Sequence, residues 1–141
     1  MDAIPEEFGD LFERQTFASF ATVMGDGTPQ VTPVWIDIDG EGNLDIDGEG
    51  NLLVNTARGR QKERNVERNP KVGLCVMDPD DPYRYVSVRG EVVEVTEDGA
   101  VEHIDELARR YMDVDEYPNH GEESGPRVVI RIRPDRVVTN G

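Results

Sequence analysis

The chain has 141 residues and carries 30 acidic against 15 basic side chains, a formal net charge of −15. That balance argues against nucleic-acid or anionic-membrane partners, and no run of about 18 apolar residues is present to span a bilayer. The length suits one domain over residues 1–141, and the lone Cys75, in the apolar run VGLCVM, excludes an internal disulfide framework and suits a reducing cytoplasm.

In chain order, IPEEFGDLFER has a proline at its start and apolar residues at 4, 8, 11 and 12, the spacing of a short amphipathic helix. TFASFATVM alternates as a strand, GDGTP is a turn, and QVTPVWIDID is the partner strand of a hairpin over residues 16–39. Pro33 cannot donate to a ladder, so this second strand lies at an edge or is bulged there. LLVNT is a third strand, ARGRQKERNVERNP a helix ended by Pro70, and KVGLCVMD a buried strand in which Cys75 is a small core residue. DPDDPYR is a loop, and YVSVRGEVVEVT a long strand with a bulge expected at Gly90. DGAVEHIDELARRYM is a helix, YPNHGEESGP a loop, and RVVIRIRPDRVV the closing strand. About six strands in antiparallel succession with three helices describe a β-barrel with peripheral helices.

Residues 37–44 and 45–52 are the same octapeptide, DIDGEGNL, written twice. As a calcium loop it fails, because the twelfth position is Gly48 where a bidentate Glu is required. A weak cation site on its six carboxylates is the bland alternative, and no specific metal site is assigned. A second true hairpin would leave LLVNT parallel to VWIDID, with an intervening strand of only four residues. Deleting either copy leaves a seamless hairpin. The second copy is therefore expected to be a duplication at a protruding, mobile tip over roughly residues 40–51, whose extra length costs tenths of a kcal/mol to about one.

Chemistry concentrates in residues 55–71. Arg58, Arg60, Lys62, Arg64, Arg68 and Lys71 face only Glu63 and Glu67 between 58 and 71, so that window is +4 and the remainder of the chain −19. Part of this suits intrahelical pairs such as Glu63 with Arg60 or Glu67 with Arg64. The rest suits an anion site where the strand end Asn55-Thr56 gives way to a Gly59 turn and a helix start. Thr56 offers a hydroxyl, Arg60 and Lys62 the first charges, and Arg58 the next. Arg64 and Arg68 are expected to be structural. The two histidines, His103 and His120, have no metal-ligand spacing, and no acid, base or nucleophile declares itself, so a cofactor is expected to carry any reaction. Only two of the basic residues are Lys, and an acidic, lysine-poor surface matches the proteins of salt-loving organisms.

FASFATVMGDGTPQVTPVW, LLVNTARGRQKERNVERNPKVGLCV, DPYRYVSVRGEVVEV and HIDELARRYM followed by YP together resemble the split β-barrel flavin and deazaflavin oxidoreductases related to pyridoxamine 5′-phosphate oxidase. The resemblance is strongest to the branch dependent on coenzyme F420, which salt-loving archaea use. It implies a six-stranded antiparallel split barrel with about three peripheral helices. It also implies a homodimer with two cofactor clefts at the subunit interface, and hydride transfer to or from a small organic substrate. By this resemblance Arg60 and Lys62 match the positions that hold the cofactor phosphate, with Asn55 and Thr56 beside them. Gln30, Thr32, Pro33, Val34 and Trp35 match the strand whose backbone flanks the tricyclic ring. FMN in place of F420, and a non-catalytic binding or storage module, are the alternatives. The chain departs from the family in its repeated octapeptide and in ending at VVTNG, without the longer C-terminal segment of a true pyridoxamine phosphate oxidase.

Overall fold

The computed structural model describes residues 3–38, 50–118 and 125–141. Seven strands form one sheet, curled into a half-barrel: β1 (Phe17–Val23), β2 (Pro29–Trp35), β3 (Asp37–Ile38), β4 (Leu52–Ala57), β5 (Lys71–Asp78), β6 (Asp81–Thr96) and β7 (Arg127–Asn140). Their order is β2-β1-β5-β6-β7-β4-β3, with every pairing antiparallel. A 3₁₀ helix (Glu6–Phe12) and two α-helices, α1 (Gln61–Arg68) and α2 (Ala100–Met112), pack around it. This is the split-barrel architecture. None of the described helices is long and apolar enough to cross a membrane.

The seventh strand arises at Ile36. QVTPVWIDID reads as one continuous strand, yet β2 and β3 are the two opposite edges of the sheet. The chain crosses from one edge to the other at Ile36, whose N–H donates to the Tyr111 hydroxyl of α2 at 3.1 Å instead of to a ladder. That hydroxyl donates to the carbonyl of Thr16 at 2.5 Å. The curl brings the edges together, and β2 and β4 touch across the seam.

Alternation supplies the core. Ala18 and Phe20 of β1, Val72, Leu74 and Val76 of β5, Val86 and Val88 of β6 and Ile130 and Ile132 of β7 point inward, joined by Ile4, Phe8, Leu11 and Phe12 from the N-terminal segment. All four apolar positions of the first helix pattern are thus buried. Cys75 is a correction: it is half-buried, not a core residue, because Gly73, Cys75 and Met77 share the opposite face of β5. Burial still raises its thiol. Pro33 resolves in favour of the edge. It pairs with Ser19 in a ladder without a register shift, so no bulge is present there. The bulge at Gly90 is present. The β6–β7 register shifts between Arg89 and Gly90, and a Cβ at Gly90 would lie 2.5 Å from the carbonyl oxygen of Arg133. Strand β6 begins at Asp81, four residues earlier than the loop DPDDPYR suggests.

Most of the repeat, and the tip expected over 40–51, lies outside the described residues. Its two ends are described: Asp37 pairs with Leu53 and Ile38 with Leu52, antiparallel. A hairpin with a single octapeptide would make the same pairs. We therefore expect a deletion of residues 45–52 to change unfolding free energy by no more than about 1 kcal/mol. Urea titration of both proteins checks this, and a larger loss would give the second copy a structural role.

Candidate functional site

At the seam between the two sheet edges lies a cavity of about 260 Å³. Its walls come from β1 and β2, from β4 and the start of α1, from the start of β7, and from α2 and the segment after it. Phe17, Pro33, Val34 and Trp35 lie on one side, Asn55, Thr56, Arg60, Lys62 and Arg127 on the other, and Ile104 and Met112 close it from the helix, with Tyr117 beyond.

One half of the cavity is aromatic. The Trp35 and Tyr111 rings stack at 5.0 Å and 15°, Tyr117 meets Trp35 edge-on at 6.2 Å, and Phe17 meets Tyr111 edge-on at 5.8 Å. Tyr111 stays fixed because its hydroxyl is committed to Ile36 and Thr16. The Trp35 plane is thus set by the same contact that sets the strand crossing.

The other half is cationic. Gly59, at φ 93°, takes a left-handed turn that side chains disfavour, and so brings Arg60 to the N-cap of α1. Lys62 follows in the first helical turn. Arg127 enters from the start of β7, 6 % exposed, with its guanidinium 5.0 Å over the Tyr117 ring. Among the described residues Lys62 pairs with no acid. Burial, then the charges of Arg60 and Arg127, push its ammonium below the ordinary lysine value. Among the described residues the Thr56 hydroxyl, on a residue 2 % exposed, has no hydrogen-bond partner. An unpaired cation beside an unsatisfied buried hydroxyl fits an anionic group with acceptor oxygens, and a flat apolar wall opposite fits a planar ring.

Of the residues singled out from sequence, Pro33, Val34, Trp35, Asn55, Thr56, Arg60 and Lys62 converge on this cavity. Gln30, Thr32 and Arg58 do not line it. Gln30 turns inward, its carbonyl oxygen 3.4 Å from both Thr22 Oγ1 and Asn65 Nδ2, where it helps seat α1 on β1. Thr32 sits opposite Phe20 with its hydroxyl buried. Arg58 faces acids: Glu97 at 2.7 Å, Glu63 at 3.5 Å and Glu67 at 3.9 Å. These pairs replace the expected ones, since Glu63 and Glu67 meet Arg58 and not Arg60 or Arg64. Arg64 bonds Gln61, and Arg68 bonds Asn65, both structural roles. Arg127, Tyr117, Phe17, Ile104 and Met112 were not visible as site residues. Phe17, Ile104, Met112 and Tyr117 lie in segments that carry the family resemblance but had no role assigned there, and Arg127, 65 positions beyond Lys62, lies in none of them.

The profile of the family described as Pyridoxamine 5′-phosphate oxidase matches residues 4–141, and the chain belongs to that family. No match was found among curated proteins. Among solved structures, one named F420 Reductase is 37 % identical, with a TM-score of 0.77, over 96 % of this chain and 98 % of that one. The conserved hypothetical protein Rv2991 of Mycobacterium tuberculosis is 24 % identical, with a TM-score of 0.71, over 99 % and 86 % of the two chains. HupZ of Group A Streptococcus is 21 % identical, with a TM-score of 0.62, over 96 % and 93 %. The last two similarities bear on the fold alone.

Lys62 gives a test that needs no ligand. Its folded value lies below the 10.5 of an ordinary lysine, so the charged form strains the folded state at neutral pH. That cost is full below the folded value and vanishes above the unfolded one. Lys62→Met should therefore raise the melting temperature of the ligand-free protein at neutral pH, with a gain that shrinks as pH rises toward the ordinary lysine value. A lower melting temperature at neutral pH would place Lys62 in a stabilising pair.

Proposed function

We propose that this member of the pyridoxamine 5′-phosphate oxidase family binds coenzyme F420 in the seam cavity and serves as an oxidoreductase on a small organic substrate. The observation that carries the reading is the division of one cavity into an aromatic wall at Trp35 and a cationic wall at Lys62. The bound cofactor supplies hydride transfer at its ring. The chain's own residues supply place and field. Trp35 offers a flat face held by Tyr111, and the backbone of β2 runs beside it. As an outermost strand, β2 keeps one side of its backbone outside the ladder, where it can meet a ring edge. Arg60 and Lys62 neutralise the phosphate, and the Thr56 hydroxyl gains the partner it lacks. Ile104 and Met112 keep water from the apolar side.

The choice of F420 over FMN rests on the 37 % identical structure named F420 Reductase. Because the cavity's lip carries exposed apolar side chains, Phe17 at 58 % and Met112 at 44 %, we place a second copy of the chain over it. Val31, Met77 and Val138 continue that exposed surface on the outer face of the sheet. Light scattering should give the mass of a dimer, and a monomer at micromolar concentration would contradict this part.

Titration with F420 and, separately, with FMN, followed by fluorescence anisotropy, tests the cofactor. F420 should saturate a single site per chain. Lys62→Glu should weaken that binding at least about tenfold, the equivalent of roughly 1.4 kcal/mol. Unchanged affinity in Lys62→Glu would move the anion off this helix, and preference for FMN would keep the site but change the chemistry.

A further inference from the structure

His103 of α2 sits between two polar side chains that make opposite demands on its ring. Arg127 Nε donates to Asn55 Oδ1 at 2.8 Å, and Asn55 Nδ2 donates to the carbonyl of Ala100 at 2.8 Å. A guanidinium can only donate and a carbonyl can only accept, so these two contacts fix which way the amide faces. Asn55 Nδ2 also lies 3.0 Å from His103 Nδ1. That ring nitrogen must accept the amide's second hydrogen. The ring hydrogen is then on Nε2, 2.9 Å from Asp37 Oδ2. Facing Asp37 the ring gains from a positive charge, whereas facing Asn55 its nitrogen has to stay bare.

A proton on Nδ1 breaks this arrangement. An imidazolium donates from both nitrogens. Its Nδ1–H would point at an amide nitrogen that is itself a donor. Turning the amide over would offer Nδ1–H an acceptor. It would also set Asn55 Nδ2 against the Arg127 Nε–H and Asn55 Oδ1 against the Ala100 carbonyl. No orientation of the amide at this place satisfies Arg127, Ala100 and a charged His103 together.

Charged groups bear on His103 from several elements. Asp37 of β3 faces Nε2 directly, accepts from the N–H of Ile38 at 2.9 Å and lies 3.3 Å from an Arg110 nitrogen of α2. Burial opposes the Asp37 charge, but the His103 hydrogen bond and the Arg110 charge outweigh it and hold its carboxyl below the usual range. Arg127 of β7 acts through Asn55 of β4, and Arg60 and Lys62 of α1 line the same cavity. These cations oppose a further positive charge. On α2 itself Asp105 accepts from the N–H of Tyr117 at 2.8 Å, and Glu102 and Glu106 are exposed. Among these groups a histidine is the one whose ordinary range lies between about pH 5 and 8.

We propose that His103 is a proton switch on the wall of the seam cavity. Asn55 lines that cavity, and a neutral His103 holds its amide in place together with Arg127 and Ala100. One proton taken up at Nδ1 strengthens the contact with Asp37 and displaces the Asn55 amide. The cavity therefore keeps its described wall at neutral and higher pH and loses it as pH falls. A ligand that needs this wall binds the neutral form better, and its binding releases the proton. The displacement of Asn55 stands on the hydrogen bonds alone. Control of cofactor affinity rests in addition on the reading of the cavity as the cofactor site.

The experiment is a titration of the isotope-labelled full chain from about pH 8 to about pH 5, followed by NMR of the ring nitrogens and side-chain amides. At the upper end His103 should carry its hydrogen on Nε2. As pH falls, the Asn55 Nδ2 resonances should move with the midpoint of the His103 ring. They should stay in place in His103→Gln, which is neutral throughout. His120→Gln separates the signals of the two histidines, and His103→Leu replaces His103→Gln if that variant does not fold. A ring hydrogen on Nδ1 at the upper end would overturn the switch. So would a ring that stays neutral throughout, or Asn55 resonances that do not move while His103 titrates. Affinities for F420 and for FMN are then measured at both ends in the parent and in His103→Gln, a comparison that cancels the titration of the ligand itself. Toward low pH the parent should lose at least about threefold more affinity than the variant. Equal losses would overturn control of the cavity by His103 and leave the cofactor reading intact. If neither cofactor binds the parent at the upper end, the cofactor reading fails, and the Asn55 resonances alone decide the switch.

Discussion

The N–H of Ile36 donates to the Tyr111 hydroxyl, which donates in turn to the carbonyl of Thr16. One phenol on α2 thus joins the strand crossing to the segment just ahead of β1. The crossing is what closes the sheet, because β2 and β3 are its two ends and only Ile36 separates them in sequence. A crossing peptide has no ladder partner of its own. A buried N–H left unpaired would cost about 1–3 kcal/mol, and the Tyr111 hydroxyl removes that cost. The cavity exists because the edges meet there, and its aromatic wall exists because the same Tyr111 ring stacks on Trp35.

The electrostatics of the site run against those of the whole. The chain carries −15 overall, yet Arg60, Lys62 and Arg127 converge on one cavity. Gathering like charges on partly buried groups destabilises a fold, and such arrangements persist where a ligand uses them. Arg58 marks the contrast. It belongs to the same basic segment, but three carboxylates surround it, and it holds the strand-to-helix turn to the end of β6. Sequence proximity placed Arg58 and Lys62 in one patch, and the fold assigns one to architecture and the other to the cavity.

Local rules account for what was legible. The spacing 4, 8, 11, 12 needs only helical periodicity to predict a buried face. Pro33 needs only its missing donor to predict an edge, and Gly90 sits where β7 passes too close for a Cβ. The basic segment was legible as a site because Asn55, Thr56, Arg60 and Lys62 are neighbours in the chain. What escaped depends on closure. VWIDID alternates as well across Ile36 as on either side, so nothing local divides it into two strands. Cys75 was placed in the core because an apolar run does not reveal which face is covered. Arg127 and His103 meet at Asn55 only when β7, β4 and α2 lie side by side, a pairing between Asn55 and residues 48 and 72 positions away. Much of the octapeptide repeat, conspicuous in sequence, lies outside the described residues; its first residue, Asp37, meets His103 at 2.9 Å.

Trp35 is the single tryptophan of the chain, and it forms part of the aromatic wall of the seam cavity. Its emission therefore reports on the central claim, that one ligand spans the aromatic and cationic halves of the seam cavity. The measurement is intrinsic fluorescence during titration with F420, beside calorimetry under the same conditions. The account predicts saturable quenching of Trp35 with the calorimetric midpoint, at one ligand per chain. Calorimetric binding that leaves Trp35 emission unchanged would contradict it, because the ring would then lie elsewhere.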